Sequence, residues 1–80
     1  MHLEQYLHGA RRRRRPSPLR IARWYAGLTQ SELALTVGCS RRTIFALEAG
    51  RSIPSLGLAL ALARRLDLSV EELFPLAELR

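Results

Sequence analysis

Thirteen arginines and no lysine are the side chains in this 80-residue sequence best suited to chemistry, and the chemistry they suit is holding anions. A guanidinium is a planar fork that fits phosphate, carboxylate or a guanine edge with two hydrogen bonds. Arg41 and Arg42 stand side by side, and Arg11, Arg12, Arg13, Arg14 and Arg15 form an unbroken block. Where the charge sits says more than its total of +6. Residues 1–28 hold seven arginines against one acid, Glu4, while in residues 29–80 six arginines balance six acids. The excess therefore lies on an N-terminal arm, whose natural partners are polyanions such as nucleic acid or an anionic lipid surface.

Groups for covalent or metal chemistry are sparse. Cys39 is the only cysteine, so no intrachain disulfide and no cysteine-built zinc site can form. A lone thiol fits a reducing, cytoplasmic compartment. His2 and His8 are six residues apart without convincing co-ligands, and Glu71 and Glu72 belong to a helix-opening turn. No nucleophile stands beside a base. The expectation is no enzyme, no metal and no cofactor. The longest apolar run, LGLALALA at residues 56–63, falls short of the roughly 18–20 residues that span a membrane. No apolar stretch follows the basic block, unlike a secretory leader.

The arginines need elements to position them, and the pattern predicts five short helices behind a flexible arm. Residues 1–17 read as that arm: a glycine, the self-repelling arginine block, then Pro16-Ser17-Pro18 at the junction. A first helix is expected over residues 18–26, with proline in its first turn and Gly27 as its stop. Thr29-Gln30-Ser31-Glu32 is a capping box that opens a second helix carrying Leu33, Ala34 and Val37 on one face. Gly38 ends it. Ser40 caps a third helix, expected over residues 41–49, with Ile44 and Leu47 inward and Gly50 beyond. Pro54-Ser55 opens a fourth helix through Leu66. There Leu58, Leu60 and Leu62 alternate with alanines, a strand-like period, but Ala and Leu favour helix and the run has no β-branched residue. Ser69-Val70-Glu71-Glu72 is a second capping box, starting a fifth helix with Leu73 and Phe74 inward. Residues 18–75 thus form one domain, and residues 76–80 a short tail.

Two short helices joined through Gly38-Cys39-Ser40 make a helix-turn-helix. Residues 19–74 resemble the lambda-repressor-like (Cro/CI, or XRE) DNA-binding family. The matching stretches are GLTQSELA at 27–34, VGCS at 37–40, residues 44–50, PSL at 54–56 and LSVEELF at 68–74. The resemblance implies a compact all-α, five-helix domain that binds double-stranded DNA as a prokaryotic or phage-type transcriptional regulator, with repression the expected mode. Its third helix would lie in the major groove. Arg41, Arg42, Phe45 and Ala46 then match the base-reading positions. Gln30, with Thr29, Ser40, Thr43 and Arg51, matches positions that touch phosphate. Arginine bidentate to guanine is the commonest specific contact, and Phe45 suits either a thymine methyl or packing against Trp24 or Tyr25. Arg23 and Glu48 match a structural ion pair joining the first and third helices. Cys39 matches a small core plug beneath the turn.

One recognition helix reads few base pairs, so a homodimer on half-sites about 34 Å apart is expected. On the fourth helix, Leu56, Ala59, Leu60, Ala63 and Leu66 match core positions. Leu58, Ala61 and Arg65 would then lie on an outer stripe which, with Leu76 and Leu79, offers a self-association surface or a seat for an effector domain. Arg11 to Arg15 would displace counterions from DNA or enter a narrow minor groove. An antitoxin that regulates its own operon, and a protein-interaction adaptor on the same fold, are the alternative functions.

Overall fold

The computed structural model describes residues 15–76. Arg11, Arg12, Arg13, Arg14 and Leu79 lie outside the described residues, and so do His2 and His8. Among these residues five α-helices follow in order: α1 (Pro18–Tyr25), α2 (Gln30–Val37), α3 (Arg41–Glu48), α4 (Leu56–Leu66) and α5 (Val70–Leu73). No strand occurs among the described residues.

Every helix opens on a hydroxyl. Ser17, Thr29, Ser40, Ser55 and Ser69 each accept a hydrogen bond from the amide three residues on. Such caps stabilise a helix by about 1 kcal/mol each, because they satisfy a first-turn N–H that has no carbonyl partner. Both expected capping boxes are complete: Glu32 and Glu72 accept from the amides of Thr29 and Ser69 at 2.8 Å. Ser17, which reads as part of the arm, is the cap of α1. At the other end of α2, Gly38 turns left-handed at φ 81°, a conformation costly for residues with a Cβ, and its amide bonds back to Ala34. Only Cys39 and the cap Ser40 then separate α2 from α3, which fixes the angle between them. Asp67 makes the corresponding left-handed stop after α4, at φ 58°, without a glycine.

Among the described residues, the large side chains that are fully buried are Leu19, Leu33, Ile44, Leu62 and Leu73, one from each of these helices. Helices of eight residues or fewer are unstable alone in water. They persist here because each closes one side of the same core. Ala34 and Leu47 complete the cluster, and Phe74 packs at its edge.

On α4 the expected core positions Ala59, Ala63 and Leu66 do face the core, but Leu56 and Leu60 do not. Ala59 and Leu62 are buried and Leu58 packs against the core, whereas Leu56 and Leu60 are 74% and 54% exposed. Leu58 is therefore a core-side residue rather than part of an outer stripe. The cause is the Leu-Ala alternation: a leucine at every second position satisfies more than one helical phase, so periodicity cannot choose between them. Ala61 is half-buried, and Arg65 and Leu76 are exposed.

Candidate nucleic-acid interface

Helix α3 has two unlike faces. Ile44, Leu47 and Glu48 point into the protein and are buried. Arg41 and Arg42 occupy its first turn and are exposed, and Phe45, one turn on, is 40% exposed. Ala46 is half-buried beside it. The cap sets the start of this helix. Ser40 Oγ accepts from the Thr43 amide at 3.1 Å and lies 2.9 Å from Thr43 Oγ1, so both hydroxyls are engaged at the turn. Beyond Gly50, the Arg51 guanidinium sits 5.7 Å from the centre of the Phe45 ring, within cation–π range. Trp24 has a partner of the same kind in Arg20, at 5.9 Å.

Behind this face lies a polar hub on Glu48, whose side chain is wholly buried. Arg23 straddles both carboxylate oxygens, Nε donating to Oε2 and Nη2 to Oε1 at 3.1 Å. Its Nη1 donates to the Leu28 carbonyl at 2.8 Å, tying α1 to the chain that leads into α2. Two further donors reach Oε1: Arg20 Nε at 3.2 Å and Gln30 Nε2 at 3.0 Å. Among the described residues no buried side-chain nitrogen or oxygen lacks a partner. Burial alone would push the Glu48 carboxyl up. The hydrogen bonds from Arg23, Gln30 and Arg20, together with the Arg23 charge, outweigh that penalty and hold it below the ordinary carboxylate value.

The hub reaches the surface through Gln30. Its Nε2 is held by Glu48 and its Oε1 accepts from Arg41 Nη1 at 3.0 Å. A continuous chain of hydrogen bonds thus runs from a buried carboxylate to an exposed arginine of α3. Thr29 spends its hydroxyl on the Glu32 amide, so the amides of Gln30 and Ser31, ahead of that bond, have no carbonyl within α2 to pair with. An open cleft lined by Arg20, Gln30, Arg41, Arg42 and Phe45 gathers three guanidiniums, a carboxamide and an aromatic ring. Helix dipole and charge both make that cleft attractive to anions.

The expected ion pair Arg23–Glu48 is present and buried, whereas the sharing of Glu48 with Arg20 and Gln30 is not evident from sequence. Arg20 lies three residues before Arg23, hence on the same side of α1, and that spacing is the signal that points to it. Cys39 is half-buried against the core, and burial pushes its thiol up, away from the thiolate a redox sensor needs. No cluster of metal-ligating side chains occurs among the described residues, and no helix there is long and apolar enough to cross a membrane.

Comparison with known proteins fits this geometry. A family model described as helix-turn-helix matches residues 25–73. A protein of Methanothermobacter thermautotrophicus named "Uncharacterized HTH-type transcriptional regulator" is 55% identical over 53 residues, covering 65% of this chain and 77% of that one. A similarly named protein of Archaeoglobus fulgidus is 50% identical over 48 residues, 60% of this chain and 69% of its own length. In Bacillus subtilis, the HTH-type regulator YgzD is 40% identical over 52 residues, 65% of this chain and 79% of the relative.

Proposed function

This chain belongs to the Cro/CI-type (XRE) helix-turn-helix family of transcriptional regulators, and from that premise we propose that it reads a specific double-stranded DNA sequence as a repressor. The observation that carries this reading is the outward pair Arg41 and Arg42 on a helix whose inward face is pinned by the Arg23–Glu48 hub. A reader needs a rigid base and an exposed edge together, and α3 combines them. Inserted in the major groove, either arginine can donate two bonds to guanine O6 and N7. Phe45 would press on a thymine methyl, with Arg51 stacked on its other side reaching the sugar-phosphate backbone. Gln30 and the first turn of α2 would hold a phosphate beside the cleft.

Repression is favoured over activation because occupancy alone suffices for it, whereas activation requires a further contact with polymerase. The protein would bind as a homodimer, since one short helix contacts too few base pairs for high specificity. Site selection from a random DNA pool tests the sequence reading and the dimer. The expected outcome is a palindromic consensus with half-sites one helical turn apart, bound far more tightly by the wild type than by Arg41→Ala/Arg42→Ala. Equal affinity of the wild type for selected and random duplexes would overturn the specific-reader assignment.

A further inference from the structure

We propose that Arg20, on α1, is a DNA-phosphate clamp that extends the interface beyond the helix-turn-helix pair. The proposal rests on the reading of α3 as a DNA reader. Arg23 alone matches the charge of Glu48 and engages both its oxygens, so the Arg20 charge is surplus to neutralising the buried carboxylate. Arg20 spends only its Nε on Glu48, at 3.2 Å. Among the described residues its two terminal nitrogens have no hydrogen-bond acceptor, and its side chain is 34% exposed and lines the same cleft as Arg41 and Arg42. Two contacts keep the guanidinium in place. The carboxylate holds its Nε edge, and the half-exposed Trp24 ring lies 5.9 Å away. That leaves the outer edge, with its paired N–H donors, presented to the cleft, which is the geometry a phosphodiester oxygen pair accepts. A guanidinium held in this way loses less side-chain freedom on binding than a free surface arginine.

The test is the salt dependence of binding to a mixed-sequence duplex, which reports phosphate contacts without needing the operator. One lost phosphate contact lowers the magnitude of the log K against log[salt] slope by about 0.9, so the affinity lost over a tenfold rise in salt becomes about eightfold smaller. Arg20→Met, which keeps an apolar stem against Trp24, and Arg20→Gln are each expected to show that drop, while Arg20→Lys keeps the wild-type slope. A merely structural role would change affinity or melting temperature and leave the slope alone. A steep wild-type slope unchanged in folded Arg20→Met and Arg20→Gln overturns the clamp and leaves the DNA-reading assignment standing. A wild type that binds no duplex overturns both.

Discussion

Replacing Glu48 by glutamine removes one charge from the hub and almost no volume, so it isolates what the carboxylate does. Oε1 and Oε2 accept four hydrogen bonds, from Arg23 Nε and Nη2, Arg20 Nε and Gln30 Nε2. Glutamine offers one oxygen, and its amide nitrogen turns a donor toward a donor wherever it is placed. Arg20 is part-exposed and Gln30 half-buried, so water can replace what they lose. Arg23 cannot be rescued in that way, because only 9% of its side chain is exposed. Leaving one partner of a buried pair uncompensated costs about 3–5 kcal/mol. A domain of this size shifts by about 4–8 °C for each kcal/mol, so Glu48→Gln is expected to melt roughly 12–40 °C lower. Urea and thermal denaturation followed by far-ultraviolet circular dichroism measure this directly. The apolar pair Arg23→Met/Glu48→Leu is expected to recover most of the stability, since desolvation of the ions is then no longer required. It should not recover DNA affinity, because Gln30 and through it Arg41 lose their anchor. A Glu48→Gln protein within about 1 kcal/mol of wild type, a typical effect of an ordinary substitution, would refute the hub as a structural keystone.

The same carboxylate predicts an acid limb. Its folded pKa lies below the ordinary glutamate value of 4.5, so its contribution is complete above that value and is lost as pH falls through the lowered one. Unfolding free energy measured against pH should be flatter in Glu48→Gln over that window. Arg41→Ala and Arg42→Ala, taken singly, should each lower discrimination between cognate and mismatched duplexes by about 5- to 150-fold wherever the arginine reads a base, as titration of each duplex would show. Loss of affinity without loss of discrimination would reassign that arginine to phosphate. Deleting residues 1–16 should reduce the magnitude of the salt slope by up to about 4–5, and an unchanged slope would mean that the arm does not touch DNA. On α4, Leu58→Ala is expected to destabilise by about 1–3 kcal/mol and Leu60→Ala by no more than about 0.5 in chemical denaturation. The reverse order would restore Leu58 to the outer face.

The helices were legible because their signals are local. Capping boxes at Thr29 and Ser69, the glycine at Gly38 and the hydroxyl at Ser40 act within three or four residues, and sequence spacing reports such interactions directly. The rotation of α4 was not legible. It depends on which of its leucines meets the core that includes Leu33 and Leu73, and alternating Leu and Ala offer no asymmetry from which to read it. The Arg23–Glu48 pair could be anticipated from family positions, but the partners Arg20 and Gln30 converge on one oxygen only after α1, α2 and α3 have packed. At Phe45 the sequence left a thymine methyl and packing against Trp24 or Tyr25 both open, and the neighbour the structure sets over the ring is Arg51, through the turn after α3.

The two faces of α3 share no residue: Ile44, Leu47 and Glu48 hold the helix, while Arg41, Arg42 and Phe45 leave it. What the helix presents can therefore drift while what anchors it stays constant. On the proposed DNA-reading role, a lineage can acquire a new operator by exchanging exposed side chains here while Ile44 and Leu47 stay as they are. Innovation in binding is thereby uncoupled from the risk of unfolding. In an 80-residue chain with a thin core, that separation leaves room for recognition to diversify.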